Sequence, residues 1–429
     1  MIRTLFVSDI LPRRPAGGAV RRMAVVTAAL AELGPVDALF LAPPGTAPPP
    51  RETTRFARTG VAGVPPYKGV RALLEITARG PSAAYAAHQR RTLAPGLPDW
   101  STGTRYDLVW FNRERTWLPL RGRFTGRTVV DVDDFEDVLI RRWTRLGQGV
   151  WGVPLTPWQR VQARRSIAWW RRVHRRVARQ ADVVVAACAA DAARLGRGDR
   201  TAVVPNTYPA PPAHPPVPPR PDGGATILFQ GSFDWAPNTD AARWLTADIL
   251  PLVRERIPHA RVVLAGASTP EVAALAGPHV EVTGAVPDMT PHLRGADLVM
   301  VPLRVGSGTR IKILEAFAHG VPVVSTTIGA EGLDVVAGEH LAIADTAEGL
   351  ARHCADLLTD RAARTATVTA AARLHTVRYQ PGHAAARVRQ AALRATGGPA
   401  GVPPQRPGAA RPEERLWPTH EEPRRPFGV

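Results

Sequence analysis

The sequence predicts an α/β protein made of two Rossmann-like domains that face each other across a cleft. Short apolar runs alternate with amphipathic helical patterns, which is typical of a parallel sheet covered by helices on both faces. This alternation is interrupted once, by a proline-rich stretch over residues 206–224, and it restarts beyond it. The 429 residues also suffice for two domains of ordinary size.

The first half contains five apolar runs that suit buried strands: Leu5–Val7, Val36–Leu41, Tyr106–Phe111, Arg127–Val132 and Asp182–Ala187. A helix is predicted from about Val20 to Leu33, directly after a loop that contains Gly17 and Gly18. Helical patterns also lie between the later strands, so a parallel sheet with helices on its faces is expected here.

The second half repeats the pattern, with predicted strands at Thr226–Gln230, Arg261–Ala265, Val280–Val282, Asp297–Val301 and Val321–Ser325. Helices are expected from about Thr239 to Arg256 and from about Lys312 to His319. Residues 346–395 are mostly helical in pattern.

These patterns divide the chain into four segments. We expect an N-terminal domain over residues 1–205 and a stiff linker over 206–224, because proline fixes φ and lacks an N–H donor. The C-terminal domain then covers 225–395, and its last helices can pack back on the N-terminal domain. Residues 396–429 mix Pro, Gly, Arg and Glu without periodicity and are predicted to be a disordered tail.

The composition predicts attraction to anions, because the formal net charge is +18. The alternative is that coding bias toward arginine produces this charge, since Lys68 and Lys312 are the only lysines. Cys188 and Cys354 make no disulfide framework and have no metal-ligand spacing, so a reducing cytoplasm is expected. No apolar run is long enough to span a bilayer.

The strongest chemical signal follows the predicted strand that ends at Val301. A loop leads from there into a helix, and it consists of Gly306, Ser307, Gly308 and Thr309. Glycines let the backbone approach a ligand, and free N–H groups at a helix start favour a phosphate. Arg310 and Lys312 stand at this helix start, where cations oppose the helix dipole unless an anion is bound. The alternative is a core helix whose charges are simply solvated.

The run from Gly306 to Ala316 resembles the G-x-G-x-R-x-K-x-x-E-A form of the family-4 glycosyltransferases (glycosyl transferases group 1), which have the GT-B fold. This family carries an E-x7-E motif on the same loop and helix. Its second glutamate matches Glu315, and its first falls on Ser307. The resemblance implies that Glu315 contacts the donor ribose, and that the contact with the donor sugar passes to Ser307 or to loop backbone.

Three further segments match the family. The turn at Gly231 and Ser232 faces the donor diphosphate in relatives, Val286 follows a strand end that borders the nucleobase, and Gly17 and Gly18 bring backbone near the transferred sugar. Relatives commonly have an Arg and a Lys in the first of these turns. This chain has neither there, so we expect the two cations at the later helix start to supply the positive charge.

The run Asp131-Val-Asp-Asp134 ends a predicted strand of the N-terminal domain and should face the cleft. D-x-D binds a divalent ion in glycosyltransferases of another fold, but alone it is a weak signal, so no metal site is predicted. Many relatives have a His near this position. Its absence leaves Asp133 and Asp134 as candidates for acceptor binding or base catalysis. Alternatively, they cap the next helix.

We therefore expect a metal-independent, retaining glycosyltransferase of bacterial envelope or secondary glycan biosynthesis. It needs no cofactor and takes a nucleotide diphosphate sugar as donor substrate, with Arg310 and Lys312 stabilising the leaving diphosphate. Its acceptor is not identified, and a lipid-linked one fits the family. Two alternatives stay open: a GT-B nucleotide-sugar epimerase, and a non-catalytic basic scaffold that binds membrane or nucleic acid. No G-x-G-x-x-G follows either first strand, which argues against a dehydrogenase.

Residues 141–179 hold five tryptophans among many arginines, namely Trp143, Trp151, Trp158, Trp169 and Trp170. Part of this stretch is a core face, because Ile167, Trp170, Val173 and Val177 lie at helical spacing. The remaining surface fits peripheral contact with an anionic membrane at its inner face, or else it is a solvated face. Between membrane and nucleic acid, we expect the membrane.

Overall fold

The computed structural model describes residues 1–12, 17–47, 53–147, 154–196, 198–212 and 224–398. Most of the predicted linker and nearly all of the predicted disordered tail therefore lie outside the described residues. Within them, two parallel β-sheets organise the chain, one in each half.

The N-terminal sheet has the strand order β3-β2-β1-β4-β5-β6-β7, and all its pairs are parallel. Its strands are β1 (Thr4–Ser8), β2 (Val36–Ala42), β3 (Arg58–Gly63), β4 (Arg105–Asn112), β5 (Thr125–Val132), β6 (Val183–Ala186) and β7 (Thr201–Val203). The five predicted strands are present. β3 and β7 were missed because these edge strands are only half-buried and lack a continuous apolar run.

The C-terminal sheet has the strand order β10-β9-β8-β11-β12-β13 and is also parallel throughout. Its strands are β8 (Thr226–Gln230), β9 (Arg261–Ala265), β10 (Val280–Gly284), β11 (Leu298–Val301), β12 (Val323–Ser325) and β13 (Ala342–Ile343). The five predicted strands are present, and the two-residue edge strand β13 was missed.

The α-helices of the first half are α1 (Gly18–Ala31), α2 (Val70–Arg79), α3 (Pro81–Leu93), α4 (Asp99–Gly103), α5 (Glu114–Leu120), α6 (Glu136–Arg145), α7 (Pro157–Gln180) and α8 (Ala189–Leu195). Those of the second half are α9 (Ala236–Trp244), α10 (Leu250–Arg256), α11 (Pro270–Ala273), α12 (Thr290–Arg294), α13 (Ile311–Ala318), α14 (Ala347–Thr359), α15 (Arg361–Arg378) and α16 (Pro381–Thr396).

One predicted helix is interrupted. The expected continuous helix from Thr239 to Arg256 is α9 and α10 joined by a π turn at Leu245–Ile249. Pro251 explains the interruption, because it has no N–H donor and its ring clashes with the carbonyl four residues earlier.

Alternating residues of the N-terminal strands build two apolar clusters, one on each face of the sheet. Leu5 and Val7 belong to one cluster and Phe6 to the other. Helix α16 packs into the second cluster, where Val388 and Ala392 are fully buried. The chain therefore returns from the C-terminal sheet to complete the core of the N-terminal domain.

Candidate functional site between the two domains

The carboxyl end of strand β8 and the start of helix α13 meet at one point of the C-terminal domain. The Gln230 side-chain amide donates to the Lys312 backbone oxygen (3.1 Å) and to Glu315 Oε2 (3.3 Å). Lys312 Nζ donates to Asn238 Oδ1 at 2.8 Å. A Cβ atom on Gly231 would lie 2.8 Å from Asn238 Nδ2 and 3.1 Å from Lys312 Nζ, so this turn needs a glycine. Gly231, Lys312 and Glu315, expected in one site, thus lie together.

The Lys312 ammonium lies in an apolar and amide environment. Its Nζ is 4.2 Å from the centroid of the Phe229 ring. Burial lowers the pKa of Lys312 to about 7, and the positive charge of Arg310 adds to this effect. An anion bound beside Nζ would favour the charged form again, which is the behaviour expected of a phosphate-binding lysine.

The Arg310 guanidinium is buried and folded back on its own loop. Its Nη1 donates to the Ser307 and Gly308 carbonyl oxygens, the latter at 2.8 Å. Burial lowers the pKa of Arg310, although Asp134 acts in the opposite direction. Its Nε and Nη2 have no hydrogen-bond partner within the described part of the chain, so two donors remain for a ligand. Arg310 therefore holds the loop in shape, a role that the sequence did not predict.

The predicted phosphate loop contacts the strand-end aspartates of the N-terminal domain. Ser307 Oγ donates to Asp134 Oδ1 at 3.2 Å. Gly308 has a left-handed φ of +72°, and a Cβ atom on it would clash with Asp134 Oδ1 and with the Asp133 backbone oxygen. Glycine is therefore required there both by the backbone and by the opposite domain.

Three residues that the sequence analysis missed also join the two domains at this loop. Arg142 donates to the Gly306 carbonyl oxygen and forms a two-bond ion pair with Glu331, at 2.6 and 2.8 Å. Asn206 Nδ2 donates to Thr309 Oγ1 at 2.7 Å. Asn206 was assigned to the linker, but it is buried and contacts both domains. No local pattern marks these residues, because their partners are more than 70 positions away.

The Asp131–Asp134 run lies at the carboxyl end of β5. Asp131 accepts two hydrogen bonds from Arg22, at 2.6 and 3.0 Å, and both side chains are buried. Burial alone would lower the pKa of Arg22, but Asp131 and Asp133 raise it above its ordinary value. Asp133 Oδ1 accepts from Asn206 at 3.1 Å. Helix α6 has Phe135 as its N-cap without a side-chain cap bond, so the alternative that an aspartate caps this helix is wrong.

Asp134 is a carboxyl group at the cleft with a strongly raised pKa. Burial raises its pKa to about 6, and the charge of Asp133 raises it further, whereas Arg113 and Arg310 oppose the shift. Arg113 follows β4, is half-buried, and has a left-handed φ of 78°, which is rare for a residue other than glycine. Such backbone strain beside a perturbed carboxyl group marks functional positions more often than ordinary ones. No local sequence pattern marks Arg113 as such a position.

The glycine pair at the start of helix α1 faces the start of α13 from the other domain. Gly17 is the N-cap of α1. A Cβ atom on Gly18 would lie 2.9 Å from Ile311 Cδ1. One turn further on, Arg21 Nε is 3.9 Å from Glu315 Oε1. The structure therefore brings this pair to the same cleft as the residues of the C-terminal domain.

Ser232 and Val286 lie at the rim of this region. The Ser232 carbonyl accepts from Asn238 Nδ2 at 2.7 Å, which fixes the turn after β8. Val286 is half-buried in the loop after β10, an edge strand separated from β8 by β9. The Gly266 amide donates to the Gly284 carbonyl (3.1 Å), so the ends of β9 and β10 adjoin.

Comparison with known proteins gives a family match in the C-terminal half and a shared fold over most of the chain. Residues 224–360 match the family model described as Glycosyl transferases group 1. Sucrose-phosphate synthase from Thermosynechococcus elongatus shares 18% identity at a TM-score of 0.66, covering 91% of this chain and 98% of that one. HepE from Anabaena, solved in complex with UDP, shares 14% identity at a TM-score of 0.57, and the match also covers 91% of this chain and 98% of that one.

WaaG, a glycosyltransferase involved in lipopolysaccharide biosynthesis, shares 16% identity at a TM-score of 0.58, covering 92% of this chain and 100% of that one. No functionally curated protein matches the chain. These similarities span both domains and show the GT-B fold.

Proposed function

We propose that this GT-B protein, whose residues 224–360 form a glycosyl transferases group 1 domain, transfers a sugar from a nucleotide diphosphate sugar to an acceptor. The observation that carries the proposal is the cluster at the start of α13. There, Lys312, whose pKa is lowered, donates to Asn238 beside the Gly231 turn. Gln230 donates both to the Lys312 backbone oxygen and to the Glu315 carboxylate. HepE, which has the same fold, has been solved with UDP and with UDP-glucose, so uridine nucleotides are the first donors to test.

In this proposal the diphosphate lies at the amino end of α13. Lys312 and the free donors of Arg310 stabilise the leaving group as its charge develops. Glu315 accepts hydrogen bonds from the ribose hydroxyls, and Gly17 and Gly18 leave room for the transferred sugar. Retention of the anomeric configuration is proposed from the family resemblance alone.

We also propose that no divalent ion takes part. Lys312 and Arg310 can neutralise the diphosphate directly, and Asp131, the first residue of the D-x-D run, is already paired with Arg22. Activity should then persist in excess chelator. Loss of activity that manganese or magnesium restores would contradict this part of the proposal.

Asp134 is proposed to act on the acceptor side. A carboxyl group with a pKa of about 6 is suited to accept a proton from a hydroxyl near neutral pH. Asp134→Asn should lower the rate of transfer more than it weakens donor binding. An equal loss of both would indicate that the carboxylate only holds the loop through Ser307.

The decisive experiment incubates the full chain with UDP-glucose and related donors and analyses all products. Release of nucleoside diphosphate that rises with acceptor supports transfer. Conversion of the donor into its epimer without an acceptor would instead favour the nucleotide-sugar epimerase. Absence of nucleotide binding by calorimetry would favour the non-catalytic scaffold.

A peripheral contact with anionic membrane remains part of the proposal, but only partly through the expected residues. Trp170 is 7% exposed, as expected for the core face. Trp143 is only 1% exposed, so its expected place at a membrane interface is wrong, and Trp151 lies outside the described residues. Trp158 is half-exposed, and Leu73 and Leu74 of α2 are each 65% exposed.

Helices α2 and α7 adjoin, because Arg165 donates to the Thr77 and Ala78 carbonyl oxygens. Exposed apolar groups beside arginines are typical of interfacial helices. Among the described residues, no helix is both long and apolar enough to cross a bilayer. Leu73→Asp with Leu74→Asp should reduce cosedimentation with anionic vesicles, and unchanged cosedimentation would contradict the contact.

A further inference from the structure

A cavity of about 450 Å³ that is open to solvent lies on the N-terminal domain, between helices α3, α5, α6 and α7. Its walls are largely aromatic and aliphatic, and they include Tyr85, Leu118, Ile140, Trp143 and Trp169. This volume is within the range of pockets that hold small organic ligands. None of the residues assigned above to the donor site lines it.

Polar atoms in the walls of this cavity lack hydrogen-bond partners within the described part of the chain. Gln162 is 6% exposed, and neither its Nε2 nor its Oε1 is hydrogen-bonded. Trp143 is 1% exposed, and its Nε1–H donates to nothing. In contrast, Trp170, also in the wall, donates its Nε1–H to Ser82 Oγ at 3.1 Å. Buried polar groups are hydrogen-bonded in the great majority of native structures, so these orphaned groups point to a ligand.

The types of side chain that line the cavity indicate which class of ligand it binds. Aromatic side chains favour a flat ring system, which they contact by stacking or edge to face. An orphaned amide and an orphaned indole N–H require oxygen or nitrogen on the body of the ligand, since an alkyl chain would leave both groups unsatisfied. An aromatic molecule of two or three rings that carries hydroxyl or carbonyl groups meets both requirements.

We propose that this cavity binds a hydroxylated aromatic molecule and, resting on the proposed function, that this molecule is the acceptor of the sugar. Glu136 and Arg115 line the cavity and form an ion pair. Glu136 begins the helix that follows Asp134. Glu136 therefore links the wall of the cavity to the strand end that carries the proposed acceptor-side carboxylate, two residues earlier in the chain.

The test uses 2-naphthol, naphthalene and 1-octanol as probes, titrated calorimetrically into the full chain without donor. We expect saturable binding of 2-naphthol at one site. Ala163→Phe fills the cavity and should weaken this binding by at least about tenfold. Ala168→Phe is the matched control, because Ala168 lies on the same helix outside the cavity and should leave the affinity unchanged. Circular dichroism verifies that both variants fold.

Gln162→Leu tests the polar requirement. Loss of one hydrogen bond should lower the affinity for 2-naphthol by about three- to tenfold, whereas the affinity for naphthalene should stay the same or increase. Absence of 2-naphthol binding would overturn the proposal. So would 1-octanol binding that is equally tight and unaffected by Gln162→Leu, because it would show a site for an alkyl chain.

Binding of UDP, measured on the same samples, separates this inference from the proposed function. If the Ala163→Phe variant still binds UDP but no longer binds 2-naphthol, the result supports an acceptor cavity distinct from the donor site. Bound 2-naphthol in a chain that never binds a nucleotide would refute the donor site and the acceptor role, but not the cavity. Nucleotide binding without any 2-naphthol binding would refute the cavity alone.

Discussion

The charged side chains on the two walls of the interdomain cleft have different kinds of hydrogen-bond partners. On the N-terminal wall, Arg22 and Asp131 satisfy each other with two hydrogen bonds and are both buried. On the C-terminal wall, Lys312 donates to an amide and lies over an aromatic ring, and Arg310 donates to carbonyl oxygens. A buried charge that is paired with an opposite charge stabilises the fold. A cation whose hydrogen-bond partners are neutral can still bind an anion. The difference assigns a structural role to the Arg22–Asp131 pair and anion binding to the cations of the C-terminal wall.

Arg22→Met is expected to have the largest effect, and the effect should be on stability. The change leaves Asp131 buried without its partner, which costs about 3–5 kcal/mol when one member of a buried ion pair is removed. Chemical denaturation measures the free energy of unfolding.

Arg21→Met on the same helix is the control for this change. Arg21 is partly exposed and 3.9 Å from Glu315, so its loss should cost less than about 1 kcal/mol. Equal losses in the two variants would show that the N-terminal wall is not held by its ion pair.

Lys312→Ala should act on ligand binding with little effect on folding. A charged hydrogen bond contributes about 1.5–3 kcal/mol, so affinity for a nucleoside diphosphate should fall by about ten- to a hundredfold. Lys68→Ala is the matched control, because Lys68 is the only other lysine and is exposed. Titration calorimetry that gives the same affinity for both variants would remove Lys312 from the phosphate site.

Glu315→Gln tests whether the carboxylate of the C-terminal wall binds the donor ribose. If Glu315 accepts hydrogen bonds from the ribose hydroxyls, the substitution should weaken the binding of a ribonucleoside diphosphate by about three- to tenfold. It should weaken the binding of the dideoxyribose analogue much less. Equal losses would mean that Glu315 acts only through its hydrogen bond with Gln230.

The contrast between the walls also shows how much the sequence could predict. Central strands are buried on both faces and therefore appear as apolar runs, whereas the half-buried edge strand Arg58–Gly63 does not. The loop from Gly306 to Arg310 was recognisable because its glycines and cations are contiguous. The inward turn of Arg310 and the buried position of Asn206 were not, since they depend on packing between distant segments.

The smallest expected effect is the pH dependence of donor binding, and its sign follows from Lys312. The pKa of Lys312 is about 7 in the free protein, well below that of an unperturbed lysine, and a bound diphosphate should raise it. Binding therefore takes up a proton above pH 7, and affinity should fall as pH rises, by less than about tenfold between pH 7 and 8. Phosphate ionisation does not interfere, because its second pKa is about 6. Lys312→Met should bind more weakly but with an affinity that no longer changes over this interval. An affinity of the unmodified protein that stays constant from pH 7 to 9 would show that Lys312 is not the cation that meets the diphosphate.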